Sequence, residues 1–133
     1  MLAVLGLIVP IPSLLAQQNK AEYDSALAAW SNIQQLVKDM ETAVQSKNLH
    51  GIHDPSMKIR APIRKLKQHS NMLSGEKGQK MTAALKQLDS SITDLHSAAD
   101  EGNQQEAQTA LKEVQTALEQ LKALDPEAAF KSM

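Results

Sequence analysis

Three observations predict an all-α fold, and within it an antiparallel up-down-up-down four-helix bundle. Four stretches carry apolar residues spaced alternately three and four apart for three or more heptads, a pattern that only a helix gathers on one face. The segments between them are short and hold Gly, Asn, Asp and Pro, which forces neighbouring helices antiparallel with crossing angles near ~20°. Tyr23, Trp30 and Phe130 are the only aromatic residues, leaving a core of Leu, Ile, Val, Met and Ala that suits close helix packing.

Leu2 to Ala16 is an uncharged apolar run, as long as a signal-peptide core and short of the roughly 20 residues a spanning helix needs. Pro10 and Pro12 are ordinary near a cleavage region, and Ala16 is followed at once by polar Gln17-Gln-Asn-Lys20. Residues 1–16 are therefore read as a signal peptide cleaved after Ala16, or as an uncleaved anchor. Leu14 departs from the small-residue rule at the third position back, and no Lys or Arg precedes the run. Residues 17–133 form one helical domain, and the expected localisation is periplasmic or secreted.

The first helix is expected from Ala21 to Ser46, with the seam Tyr23, Ala26, Trp30, Ile33, Val37, Met40 and Val44. The second carries Leu49, Ile52, Ser56, Ile59, Ile63, Leu66, Ser70 and Leu73, with serines at two seam positions. Asp54-Pro55 reads as an N-cap followed by proline at the first helical position, and Pro62 follows on the same face. Two readings compete: a helix from about Leu49 bent at both prolines, or a turn through His50–His53 and a helix from Asp54. The seam register continuing across Pro55 favours the first.

Ser74-Gly-Glu-Lys-Gly78 is expected to separate the second and third helices. The third helix carries Met81, Leu85, Leu88, Ile92, Leu95 and Ala99, ending at Asp100-Glu-Gly102. Asn103 then caps a fourth helix with Glu106 three residues on, and its seam is Ala107, Leu111, Val114, Leu118 and Leu121. Asp125-Pro126 closes that helix, and the remaining residues are expected to be a short tail.

The signal-like start, the four long helices and the hairpin Ala98-Ala-Asp-Glu-Gly-Asn-Gln-Gln-Glu-Ala107 resemble the small periplasmic helical bundles that include the soluble b-type cytochromes. That resemblance implies the fold and the compartment. Those cytochromes hold haem between a methionine near the start of the first helix and a histidine near the end of the last. Here the first helix has no methionine before Met40 and the fourth has no histidine. The Cys-x-x-Cys-His of the related cytochromes c′ is absent as well. A haem-binding bundle is accordingly the third-ranked reading.

No cysteine, nucleophile elbow, glycine-rich phosphate loop or His-Glu-x-x-His element is present, so the sequence does not read as an enzyme. A net charge of −1 lacks the basic footprint of a nucleic-acid binder. Levelling antiparallel helices about a turn near residues 74–76 brings His50, His53 and His96 to one end, with Asp54 and Asp100 nearby. Imidazole and carboxylate suit divalent Ni, Co, Cu or Zn. The other end gathers His69, Met72 and Met81, a softer set suited to Cu(I). The plainer account leaves the histidines solvated at helix ends and the methionines as core filler.

Pro55 to Ser74 holds five basic residues, Lys58, Arg60, Arg64, Lys65 and Lys67, and no acid. A solvated or internally paired face is the plain reading; the alternative is contact with an acidic protein or an anionic membrane surface. The sequence thus reads first as an exported, non-enzymatic binding or accessory protein. A periplasmic metal-binding or metal-sensing protein is the alternative.

Overall fold

A computed structural model describes residues 10–131, with side chains from Lys20 onward. The protein is all-α, with no strand among the described residues. Helix α1 spans Pro10–Gln45, and a 3₁₀ turn at Leu49–Ile52 leads into α2, His53–Lys58, and α3, Arg60–Ser70. Helices α4, Gly75–Asp100, α5, Gln104–Ala123, and α6, Pro126–Lys131, complete the chain. Helix α5 packs along α4, α3 packs against both α1 and α4, α1 meets α5, and α6 returns to α1.

The apolar stripes do become the core. Ala26, Trp30, Ile33, Val37, Met40 and Val44 are buried on α1, facing Ile59, Ile63 and Leu66, with Met81, Leu85, Leu88, Ile92 and Leu95 on α4. All five seam positions of α5 are buried too. Of the seam residues, Tyr23, Leu49, Leu73 and Ala99 are partly exposed at the rim. The two seam serines are satisfied locally: Ser56 Oγ donates to the His53 carbonyl at 2.8 Å and Ser70 Oγ to the Lys67 carbonyl at 2.8 Å. A buried hydroxyl bonded to its own helix costs little.

Helix α1 begins earlier than its seam suggested. Pro10 and Pro12 lie in its first turn, where a missing N–H has no intrahelical partner to lose. The expected cleavage point after Ala16 falls within α1, while residues 1–9 of that segment lie outside the described residues. No helix among the described residues is long and apolar enough to cross a membrane.

The second stripe follows the second expected form to within one residue. Leu49–Ile52 is 3₁₀, the α-helix starts at His53, and Asp54 lies inside it rather than capping it; no side chain caps this end. Pro55 therefore sits in the first turn and bends nothing. Pro62 does interrupt the helix, because the N–H that would reach the Lys58 carbonyl is missing. The break falls at Ile59, while Ile59 N–H still reaches the Pro55 carbonyl and Ile63 N–H the Ile59 carbonyl, at 3.0 and 3.1 Å. The arm is interrupted once, at Ile59, and keeps its register.

Two further boundaries differ from expectation. The loop before α4 is 71–74, and Gly75 and Gly78 belong to the helix itself. Gly78 is buried, and a Cβ there would stand 2.5 Å from the Leu73 carbonyl oxygen. The expected tail is the helix α6, whose Phe130 is 1% exposed. Asn103 caps α5 as its side chain predicts, accepting from Glu106 N–H at 3.1 Å.

Candidate metal centre

The 3₁₀ turn and the start of α2 carry His50 and His53 to the end of the molecule where α4 terminates. His96 and Asp100, four residues apart in the last turns of α4, share one face of that helix. His53 Nδ1 lies 3.1 Å from His96 Nε2, and His96 Nε2 lies 3.3 Å from Asp100 Oδ2. The imidazoles meet edge to face, with centroids 5.0 Å apart and planes at 78°. Ligand atoms of all three residues lie within 4.8 Å of one another. His53 and Asp100 are exposed and His96 is half-buried, so the group opens to solvent on one side.

Proton counting makes this cluster chemically distinctive. His96 Nε2 holds at most one proton, yet it faces two electron-rich atoms. If it carries the proton, that proton must be shared between His53 Nδ1 and the carboxylate. If it does not, its lone pair accepts from His53 and confronts the Asp100 oxygen with no proton between them. A cation at the centre satisfies all three donors together. Two donors bound at about 2.0–2.1 Å to one tetrahedral ion lie about 3.3 Å apart, which is close to the two separations made through His96; His53 and Asp100 lie within 4.8 Å of each other.

His50 is exposed on the 3₁₀ turn and lies outside the convergent group, its place being taken by Asp100. Asp54 is also outside it, paired with Lys58 at 2.9 Å. The Asp54 carboxylate hydrogen-bonds that ammonium and raises its pKa. In the sequence, Asp100 stands as a carboxylate four residues beyond His96.

The softer set does not share an environment. Met81 is fully buried, Met72 is 55% exposed, and His69 is buried against Phe130. Burial pushes the His69 imidazole below its ordinary pKa, with Glu22 opposing the shift and Lys65 adding to it. Of the five basic residues, Lys58 pairs with Asp54 and Lys67 with Asp89, the latter at 3.8 Å. Arg60, Arg64 and Lys65 are exposed, with no carboxylate within 4.0 Å among the described residues.

No protein-family model, no curated protein and no solved structure matches this chain.

Proposed function

We propose that the chain binds a divalent transition metal through His53, His96 and Asp100, acting by metal capture rather than catalysis. The observation that carries the reading is the convergence of three donor atoms on too few protons. Two neutral imidazoles and a carboxylate form a borderline set suited to Zn, Cu, Ni or Co. His53 belongs to the interrupted arm and the other two ligands to α4, so a bound ion ties the arm to α4. That coupling is what a metal sensor or carrier requires, and the solvent-facing side leaves a coordination position for exchange.

Two parts of the sequence reading join this proposal. The arms α1, α2–α3, α4 and α5 are read as an up-down-up-down four-helix bundle, supported by the short connections and by each arm packing on its sequence neighbour. The uncharged run Leu2–Ala16 supports export to a periplasmic or extracellular compartment.

Titration of the full chain with each of the four ions tests the proposal. One ion per chain is expected, and at a hundredfold excess over Kd binding adds about 2.7 kcal/mol of stability. The melting temperature then rises by roughly 10 °C for a chain of this size. His53→Ala and His96→Ala should each remove the rise. Absence of heat and of any melting shift with all four ions overturns the reading.

A further inference from the structure

We infer, resting on the metal-binding reading above, that His50 is the fourth ligand of the metal centre. It is a displaceable imidazole that closes on an ion already held by His53, His96 and Asp100, and so controls entry and release. Three protein donors leave one position of a tetrahedral ion to water or to a further side chain. The group opens to solvent through His53 and Asp100, and His50 is exposed three residues before His53.

The local backbone sets that imidazole beside the group. Side chains three apart eclipse one another in a 3₁₀ turn, so His50 stands on the same side of the turn as His53. Its neighbours hold the backbone in place: Ile52 is fully buried, Leu49 packs against the core, and Gly51 N–H donates to the Asn48 carbonyl at 3.0 Å. A Cβ at Gly51 would stand 3.4 Å from the Ala43 Cβ, so the turn lies against the end of α1. The turn also packs on α4, the helix that supplies His96 and Asp100. With its backbone anchored and its side chain exposed, His50 is free only in its own torsions. Turning toward the group is a rotamer change, which in an exposed residue takes picoseconds to nanoseconds.

The completed set has a regular form. His50 and His53 are three apart and His96 and Asp100 four apart, spacings that make each pair neighbours on one side of its segment. Each segment thus grips the ion twice. The other carboxylates near the group fit the fourth position less well. Asp54 directly follows His53 and is paired with Lys58 at 2.9 Å, and Glu101 directly follows Asp100. Each is turned about 100° round the helix from the ligand before it. Three imidazoles and one carboxylate keep the borderline character of the three-donor group. An ion therefore seats first on the three convergent donors, His50 then displaces its water, and release begins when His50 swings out.

The test compares the full chain with its His50→Ala variant, using zinc for affinity and Co(II) for the identity of the ligands. His50→Ala should still bind one ion per chain, at least about tenfold more weakly than the parent, and should yield it to a chelator faster. Proton spectra of the Co(II) complexes should show paramagnetically shifted signals from three imidazoles in the parent and from two in the variant. Melting in chelator checks that the variant folds as the parent does. Parent-like affinity in His50→Ala, or shifted signals from only two imidazoles in the parent, overturns the assignment of His50 and leaves the three-donor site standing. Absence of any binding by the parent overturns the metal-binding reading itself, and the role of His50 with it.

Discussion

The His69 imidazole packs edge-on against the Phe130 ring, with centroids 6.1 Å apart and planes at 67°. This contact joins the end of α3 to the short C-terminal helix and closes one end of the molecule. It also leaves His69 Nδ1 buried without a hydrogen-bond partner, which favours the neutral ring. A charged imidazole there would be desolvated, with no partner for an Nδ1 proton.

Stability should therefore fall in acid through His69. Its folded-state pKa lies below the ordinary 6.5, so above pH 6.5 both folded and unfolded chains hold it neutral and it contributes no slope. As pH falls below 6.5 the unfolded chain takes up the proton first, and the folded state loses ground until pH passes the depressed folded value. His69→Leu removes this term. Chemical denaturation of both proteins between pH 8 and about 4.5 should show their stability difference shifting toward the variant only below pH 6.5. A difference independent of pH would exclude the coupling.

Phe130→Ala should be costly for a residue so near the chain end. A buried Phe truncated to Ala typically loses about 3–5 kcal/mol, and the low end is expected here because a six-residue terminal helix relaxes readily. Thermal denaturation should show a drop of roughly 10 °C. A change within about 0.5 kcal/mol, as for surface positions, would mean that α6 does not close the core.

The lone aromatic in α6 also marks the limit of what the sequence makes legible. Period and seam were legible because every core arm repeats at three and four over many turns, and burial follows those positions through Ile33, Met40, Ile63, Leu88 and Val114. A six-residue helix repeats too few times for its period to register, so Phe130 looked like tail. Gly75 and Gly78 looked like a stop because glycine is a helix breaker on its own. The close approach of the Leu73 carbonyl, which makes Gly78 the fitting residue, is a tertiary fact. At the histidine cluster, levelling helices gives height along the axis but not angle around it. The 3₁₀ turn has three residues per turn, so height alone does not show that His50 lies outside the group and Asp100 within it.

Gly78→Ala should destabilise despite the better helix propensity of alanine. The new Cβ would meet the Leu73 carbonyl oxygen at 2.5 Å and the Ser70 carbonyl oxygen at 3.0 Å, and both are backbone atoms that cannot swing aside. Overpacking of this kind costs about 1–3 kcal/mol, more than the gain of about 1 kcal/mol from replacing a helical glycine. Gly75→Ala is also unfavourable, because Gly75 has φ +80° although nothing lies within 4 Å of its Cβ position. Urea unfolding of the two variants separates crowding from backbone strain.

Lys47→Gly should stabilise. Helix α1 ends with Asn48 N–H reaching the Ala43 carbonyl at 2.8 Å and Lys47 N–H reaching Val44 at 3.1 Å, the paired bonds of a Schellman turn. Helix α4 ends the same way through Asn103 to Ala98 and Gly102 to Ala99, at 2.9 and 3.0 Å. The left-handed position is Gly102 at φ +69° in one turn and Lys47 at φ +60° in the other. A side chain there costs about 1–2 kcal/mol, partly offset by the greater unfolded freedom of glycine. A net gain of about 0.5–1 kcal/mol is expected by denaturant melts, and a loss would mean that the Lys47 side chain is held by something other than its backbone.

Asp100→Asn distinguishes a metal centre from a hydrogen-bonded histidine pair, because the two accounts predict opposite signs. Without metal, the Asp100 side chain is 64% exposed beside His96, and surface pairs of this kind contribute little. An amide can instead donate to the His96 lone pair, so the metal-free variant should be as stable as the parent or slightly more so. With metal, the variant lacks the anionic ligand, and affinity should fall at least about tenfold. Melting each protein in chelator and again in saturating zinc therefore gives an unchanged or raised temperature in the first condition and a lowered one in the second. A fall of equal size in both conditions would assign Asp100 to the hydrogen-bonded pair and remove it from the metal site.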